Sequence, residues 1–422
     1  MRRLLILMVT TLLSCQSWAQ IQSVQTDTLR KDALNVYMET SDFIRREIPY
    51  VNYVRDIKDA GVYIISTSQS TGSGGREYTY FLIGQNRFSG MRDTITFVSF
   101  PDETTEMIRQ KQVNTLKMGL MRYVMKTPLA QYMRILFSEP LSESVASDNW
   151  NSWVFRSSVS GYLNGQKTYK SNYISGTVSA GRITEDWKIN LNARYYTSTS
   201  KYIIGDNTIE SNNNSKYING LIVRSISDHW SVGGSFRAGA ASYSNEKMMF
   251  NILPGIEYDL FPYSESTRRQ LRILYSVGFK YVNYIDTTIY DKTREPLWLH
   301  SLLASYQVVQ KWGSVDVSLN YSNYFHDWSK NNLSLYGYLS LRIAKGLSVN
   351  FGGGASLIHD QLGLLKQNLS TDEILLRRKE LETQYEYYTS FGFTYTFGSI
   401  YNNVVNPRFG SSSGGGMTII MN

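Results

Sequence analysis

Period-two alternation sustained over long segments is the feature that most restricts this chain. Leu347, Val349, Phe351, Ala355 and Leu357 share one parity, while Ser348, Asn350, Gly352, Gly354 and Ser356 take the other. Val315, Val317, Leu319 and Tyr321 oppose Asp316, Ser318, Asn320 and Ser322 in the same way. Successive side chains of a strand point to opposite faces, so the pattern describes strands with one apolar and one polar face. Twelve such segments are read at 151–163, 171–183, 187–201, 215–227, 230–243, 248–260, 270–285, 297–309, 313–326, 330–343, 346–359 and 384–398. Ordinary globular strands centre on about five or six residues, whereas a tilted membrane-crossing strand needs about 9 to 11. The lengths therefore favour a membrane wall with some projection beyond it.

The connections point the same way. Links of residues 202–214, 286–296 and 360–383 are read as long, whereas Thr184-Glu185-Asp186 and Ala344-Lys345 are tight. Short turns on one rim and longer loops on the other mark outer-membrane barrels. The corner ITEDWKIN at 183–190 returns as ISDHWSVG at 226–233, one up-down-up circuit later on the same rim. Trp187, Trp230 and Trp312 each stand where a strand leaves such a corner, the depth at which indole prefers the boundary between headgroup and hydrocarbon. The expected fold class is mainly β: a twelve-stranded antiparallel transmembrane β-barrel over 150–399, preceded by a small α+β periplasmic domain. Closure pairs every strand and leaves no exposed edge.

Composition limits the alternatives. The chain has 422 residues with 32 Tyr, 8 Trp and 31 Gly, and its mean hydropathy is −0.29. No stretch after the first twenty residues reads as a membrane helix. Arg2 and Arg3 lead into an apolar run from Leu4 to Leu13, and Ser17-Trp18-Ala19 is a small-x-small cleavage pattern, so 1–19 is expected to be a secretory signal peptide. Cleavage there removes Cys15, the only cysteine, and leaves neither disulfides nor a thiol nucleophile. Leu12-Leu13-Ser14-Cys15 loosely resembles a lipobox, and lipidation of Cys15 stays the alternative. The net charge of +8 contains no basic run of five, and Arg268-Arg269 and Arg377-Arg378-Lys379 read as solvated loops, so no nucleic-acid partner is expected.

Residues 31–137 read as the α+β domain. A strand at 33–38, a short helix capped by Ser41 and ended by Pro49, strands at 61–68 and 76–85, a strand at 94–100 and a helix within 102–126 are expected. The tip Thr71-Gly72-Ser73-Gly74-Gly75 lacks phosphate-loop spacing and is followed by a strand, so it reads as a mobile turn. The order of KDAGVYIISTSQS, REYTYFLIGQN, a strand and the helix through LKMGLMRYVMKTPL resembles the N-terminal domain of the periplasmic TolB family. That resemblance implies a module that docks proteins or peptides rather than a catalyst. Residues 138–149 (SEPLSESVASDN) form a polar linker.

The last segment, YEYYTSFGFTYTFGSIYNNVVNPRF, carries Tyr385, Tyr387, Phe391, Phe393, Tyr395 and Phe397 on one parity. With the preceding alternation it resembles porin-like bacterial outer-membrane β-barrel proteins with an N-terminal periplasmic domain, whose terminal strand is read by the barrel-assembly machinery. Residues 400–422 depart from that pattern and are expected to be a periplasmic tail, in which Ser411–Gly416 reads as a tether and Met417–Met421 as a β-prone strip that adds a strand to the edge of the periplasmic domain or to a partner, with disorder the alternative.

Candidate lumen-lining positions are Lys188, Arg194, Arg237, Glu257, Asp259, Arg272, Lys280, Asp316, Arg342 and Glu386. Charges of both signs on one face need partners or water, so the lumen is expected to be polar. The four histidines, His229, His300, His326 and His359, do not converge by parity, so no catalytic site, cofactor or metal is expected. Ser370-Thr371-Asp372-Glu373 is a capping box for a short helix in the last loop, a plug or a solvated cap. The expected function is a narrow or gated outer-membrane pore for a small solute, or an envelope-assembly component, with a periplasmic docking domain. The alternative is a non-conducting anchor that displays outer loops and recruits periplasmic proteins.

Overall fold

The computed structural model describes residues 32–71, 75–134, 149–204, 207–366 and 380–398. The expected signal peptide with Cys15, the tip glycines Gly72 and Gly74, most of the linker, the capping box with the Arg377 cluster, and the tail from 400 onward lie outside them.

The N-terminal part is a five-stranded sheet in the order β2-β1-β3-β4-β5, built from β1 (Asn35–Tyr37), β2 (Asn52–Tyr53), β3 (Val62–Ser70), β4 (Arg76–Gly84) and β5 (Arg92–Ser99). β1 runs parallel to β2 and β3, and the β3–β4–β5 meander is antiparallel. Helix α1 is Asp42–Glu47 and helix α2 is Thr105–Val124. Ser41 precedes α1 in extended conformation, but its side chain makes no capping bond. Asp42 ties the first turn instead, accepting from Arg45 at 3.0 Å. α2 begins as an N-cap should, with the Thr104 hydroxyl accepting from the Met107 amide at 3.3 Å.

One face of α2 packs on the sheet through Val113, Leu116, Leu120, Tyr123 and Val124, all buried with Leu34, Val36, Val62 and Leu82. The helix sits so close that a Cβ added at Gly119 would lie 2.3 Å from Ile95 Cδ1. Tyr123 enters this core without an orphaned polar atom, because its hydroxyl donates to the Leu82 carbonyl at 3.1 Å.

The rest is one antiparallel sheet of twelve strands: β6 (Trp153–Gly165), β7 (Tyr169–Ile183), β8 (Trp187–Ile204), β9 (Asn207–Ser225), β10 (Trp230–Ala241), β11 (Glu246–Asp259), β12 (Arg269–Tyr284), β13 (Arg294–Gln310), β14 (Gly313–Tyr324), β15 (Asp327–Ala344), β16 (Leu347–Ile358) and β17 (Tyr385–Tyr395). Every strand pairs with its sequence neighbour, and among the described residues β6 and β17 are not paired to each other. The expected closure is therefore not seen: pairing stops at two open edges.

The loop asymmetry is weaker than expected. Residues 202–214, read as a long link, continue β8 and β9 in register as far as Ile204 and Asn207. The pairs from Thr197 opposite Asn214 to Lys201 opposite Glu210 are Thr, Ser, Asn, Lys and Glu on both faces, so no apolar parity marks Glu210–Asn214 as strand. Of the links on that far rim, residues 285–293 and 359–384 remain long, while on the opposite rim 260–268 is comparable to the first.

Candidate lumen and rims

Cross-strand register assigns each side chain of the sheet to one of two faces. Neighbouring pairs carry one face across the strands: Arg194 opposite Tyr217, Asn219 opposite Arg237, Arg237 opposite Asn251, Asn251 opposite Lys280. Further round, Gln307 opposes Asp316, Arg342 opposes Ser348 and Ser356 opposes Glu386. Followed through the ladder, all ten candidate positions, Lys188, Arg194, Arg237, Glu257, Asp259, Arg272, Lys280, Asp316, Arg342 and Glu386, fall on this face. The other face carries Ile218, Ile222, Phe236, Ile252, Ile256, Ile273, Leu302, Leu319, Leu335 and Phe351.

Burial runs opposite to that of a soluble sheet. On the apolar face Ile218 is 56% exposed, Ile252 44% and Leu335 46%, whereas on the polar face Ser175, Ser231, Asp259, Ser334 and Ser356 are buried. Such inversion follows when a sheet curls toward its polar side, so that polar side chains crowd one another and apolar ones splay outward. Two cavities on the polar face mark the same curl, and one of them is lined from β8 through to β13.

The apolar band has a measurable edge. Along β8 the outward residues are Trp187, Ile189, Leu191, Ala193 and Tyr195, followed by Thr197, Thr199 and Lys201. β9 changes at the same level: Ile218, opposite Ala193, is the last apolar residue before Lys216, opposite Tyr195. Residues 187–195 span about 26 Å along the strand at ~3.3 Å per residue, the length a tilted membrane-crossing strand uses. Beyond them the pairs from Thr197 opposite Asn214 to Lys201 opposite Glu210 are polar on both sides, and Lys201 lies 3.9 Å from Glu210.

Trp187 and Trp230 begin β8 and β10 on the apolar face, and Trp312 sits in the turn before β14. Arg224 stacks over Trp187, and Trp230 packs against Tyr258 with ring centroids 4.7 Å apart. A second aromatic group occupies the far rim, drawn from two strands, the β14–β15 turn and the start of β15, so it is not marked by the parity of any one strand. There His300 stacks on Phe325 at 5.1 Å and packs against Tyr321 and Trp328.

The polar face is not uniformly polar, contrary to expectation. At the rim nearest the N-terminal domain, Arg272 lies 3.5 Å from Glu257, which also accepts from Tyr263 at 3.2 Å. Asp259 pairs with no cation among the described residues; it caps the 260–268 link by accepting from the Phe261 and Leu271 amides, each at 3.1 Å. Between these groups and Arg237, which donates to Asn219 at 2.7 Å, the wall becomes aliphatic through Leu221, Val223, Leu253, Leu274 and Leu303. These residues border a cavity of about 660 Å³.

The far rim holds a second cavity of about 680 Å³, lined by Glu246, Lys280, Tyr284, Tyr324, Asp360 and Glu386 among others. Lys280 and Glu386 were legible from parity, but Glu246 sits just before the expected start of its strand, and Asp360 belongs to a loop. Lys280 pairs with Glu246 at 3.6 Å. The cavity exists because the start of the last loop folds inward over the polar face. Asn245, 1% exposed, donates to the Gly363 and Asp286 carbonyls at 3.0 and 2.9 Å. Ile289 donates to the Leu364 carbonyl, and Leu362 is buried against Leu297 and Tyr324.

Arg342 shares the polar face but serves another purpose. It pairs with Glu39 of the N-terminal part and stacks over Tyr37 at 4.4 Å. Burial pushes the Tyr37 phenol up to about 12, and Glu39 adds to that rise while Arg342 opposes it. Lys345, in the β15–β16 turn, reaches Asp59 at 2.7 Å, and the Gly346 amide donates to Asp56 at 3.1 Å. The bond to Asp59 holds the Lys345 ammonium above its ordinary value. Arg268 stacks on Phe81 at 5.0 Å, so the N-terminal part rests on the rim through contacts from three separate turns and strand ends.

The histidines stay apart: His229 Nδ1 meets the Asp259 carbonyl at 2.8 Å, His359 Nδ1 lies 3.3 Å from Asn331, and His326 packs on Tyr324. Among the described residues no group of three or more His, Cys, Asp or Glu side chains is placed to hold a metal ion. No helix among them is long and apolar enough to cross a membrane, which says nothing of crossing by strands. No protein-family model matches the chain, and no curated protein is found to be similar to it.

Proposed function

We propose that the chain is an outer-membrane β-barrel protein whose twelve strands close by pairing β6 with β17. It forms a narrow, gated pore for a small solute, with the N-terminal part docked on the periplasmic rim. The observation that carries this reading is the inverted burial: isoleucines and leucines of the sheet are exposed while serines and Asp259 on the other face are buried. In water that arrangement discards the hydrophobic stabilisation a fold depends on, at about 25 cal/mol per Å² of apolar surface left exposed. Lipid on the apolar face removes the conflict. Closure is supported by the edges themselves, because Val159 at 81% and Phe391 at 85% exposure stand on strands long enough to template aggregation if left open.

Gating rests on the inward-folded start of the last loop, which narrows the far mouth over Lys280 and Glu386. The same loop favours the second reading, a non-conducting anchor that presents its outer loops and recruits periplasmic proteins. Conductance of the purified protein in a planar bilayer separates the two. Discrete ion currents are expected for the pore, and silence combined with retained capture of a periplasmic partner would favour the anchor. In either case insertion calls on the barrel-assembly machinery, and no reaction is assigned to the protein.

A further inference from the structure

The aliphatic stretch of the polar face is arranged as a trench. Lys188, Val223, Gly233, Gly255 and Ser276 stand directly opposite one another on β8, β9, β10, β11 and β12, and all five line the 660 Å³ cavity. Three of the five put little or no side chain above the backbone, so the row is a floor crossing four strand intervals, about 19 Å at ~4.8 Å each. The neighbouring row on one side carries Leu221 and Leu253, with Ser235 between them. On the other side Leu274 opposes Leu303.

The chemistry of the walls narrows the occupant. The single aromatic ring among the lining residues is Tyr263, so a sugar or a base has one ring at most to stack on and no pair of rings to hold it. Arg272 is paired with Glu257, which leaves Lys188 as the cation in the lining without an ion pair among the described residues. Glu185, Asp186 and Asp228 line the same cavity and disfavour a polyanion. Water in a trench walled by leucines gains few hydrogen bonds, whereas a chain of methylenes gains with every CH₂ it buries there.

We propose that this trench binds a single-chain aliphatic amphiphile with one negative charge, a long-chain carboxylate being the simplest, its chain over Gly233, Gly255 and Ser276 and its head at Lys188. The inference rests on reading the polar face as the lumen, and names the class of solute that the lumen takes.

The test uses the full chain in nanodiscs, with a fluorescent long-chain fatty acid as probe and empty nanodiscs as the blank. Saturable binding is expected, weakening as unlabelled competitors are shortened. Ser276→Leu, which fills the floor, should weaken it about tenfold or more. The double variant Leu253→Ser/Leu274→Ser removes the wall without adding bulk and should weaken it comparably. Lys188→Gln should cost about tenfold for the carboxylate and little for the matching long-chain alcohol. Displacement by a free fatty acid alone would identify a diffusing solute, while equal displacement by an anionic lysophospholipid would identify envelope lipid as the source; both uphold the trench. Absence of saturable binding, or equal binding by the folded variants and the original protein, overturns the inference. Conductance of the same preparation is read separately: current without probe binding sinks the trench and spares the pore, and binding without current does the reverse.

Discussion

Ile252→Arg puts a charge in the middle of the apolar band, and its cost separates lipid from water as the medium on that face. Ile252 lies between Tyr258 and Met248 along the outward parity of β11 and is 44% exposed. In water an exposed substitution of this kind stays within about ±0.5 kcal/mol. At the bilayer midplane an arginine on a barrel's lipid face costs about 2–4 kcal/mol, and only about 0–1 near the interface. The expected change in the folding equilibrium is therefore roughly 30- to 700-fold, at 1.4 kcal/mol per tenfold. Ile218→Arg provides the depth control, because Ile218 is the last apolar residue before Lys216 and should cost at most about 1 kcal/mol. Asn251→Glu provides the face control: the adjacent position points to the polar side between Arg237 and Lys280, where a carboxylate gains partners, and no loss is expected. Equilibrium denaturant titration in phospholipid vesicles, read by tryptophan fluorescence, supplies the free energies. Equal costs at Ile252 and Asn251, or none at either, would refute the assignment of faces.

The remaining expectations concern the two rims and the N-terminal core. Asn245→Ala removes the amide that ties Gly363 and Asp286 together, a loss of about 1–3 kcal/mol at a buried site, and should raise the open probability in single-channel recordings. Lys345→Ala or 1 M salt should loosen the N-terminal part from the rim a few-fold, since the Lys345–Asp59 pair is exposed and screened by salt; faster hydrogen exchange at the amides of Gly346 and Asp59 reports the release. Lys111 bonds the Glu103 carboxylate and holds it below its ordinary value, so its contribution is full above the unfolded carboxyl value and is lost as pH falls through the folded one. Lys111→Met should weaken that acid dependence in the melting of the N-terminal part and leave the share due to the Phe100 amide, which also donates to Glu103. Leu120→Ala, in its core, should cost about 2–5 kcal/mol in the same melt.

How much was legible depended on whether two different media touched the segment. Where one face is apolar and the other polar, parity located each of the twelve strands and put all ten chosen side chains on one face. Where both faces are polar, as in Glu210–Asn214 opposite Thr197–Lys201, the alternation vanishes although the backbone ladder continues, and the stretch 202–214 reads as a link rather than as the end of one strand and the start of the next. The inward-folded loop was illegible for a different reason. Its anchor is a side-chain amide, Asn245, reaching carbonyls at Gly363 and Asp286, and nothing local in the sequence announces such a contact. The charged residues of a face do not disclose its aliphatic stretch: Leu221, Leu253, Leu274 and Leu303 share the face of Arg237 and Glu257, and only the cross-strand register brings them together. In the N-terminal part helical spacing found α2, whereas Ser41, a good capping residue by type, leaves its cap unmade while Asp42 bonds Arg45.

Nitroxide labels placed singly along residues 249–257 of the vesicle-inserted protein would locate its solvents directly, by relaxation from oxygen dissolved in hydrocarbon against a water-soluble nickel complex. Oxygen should dominate at 250, 252 and 256 and nickel at 251, 255 and 257, in a two-residue rhythm. Uniform nickel access along the stretch would mean that water wets both sides, and the membrane wall would have to be abandoned.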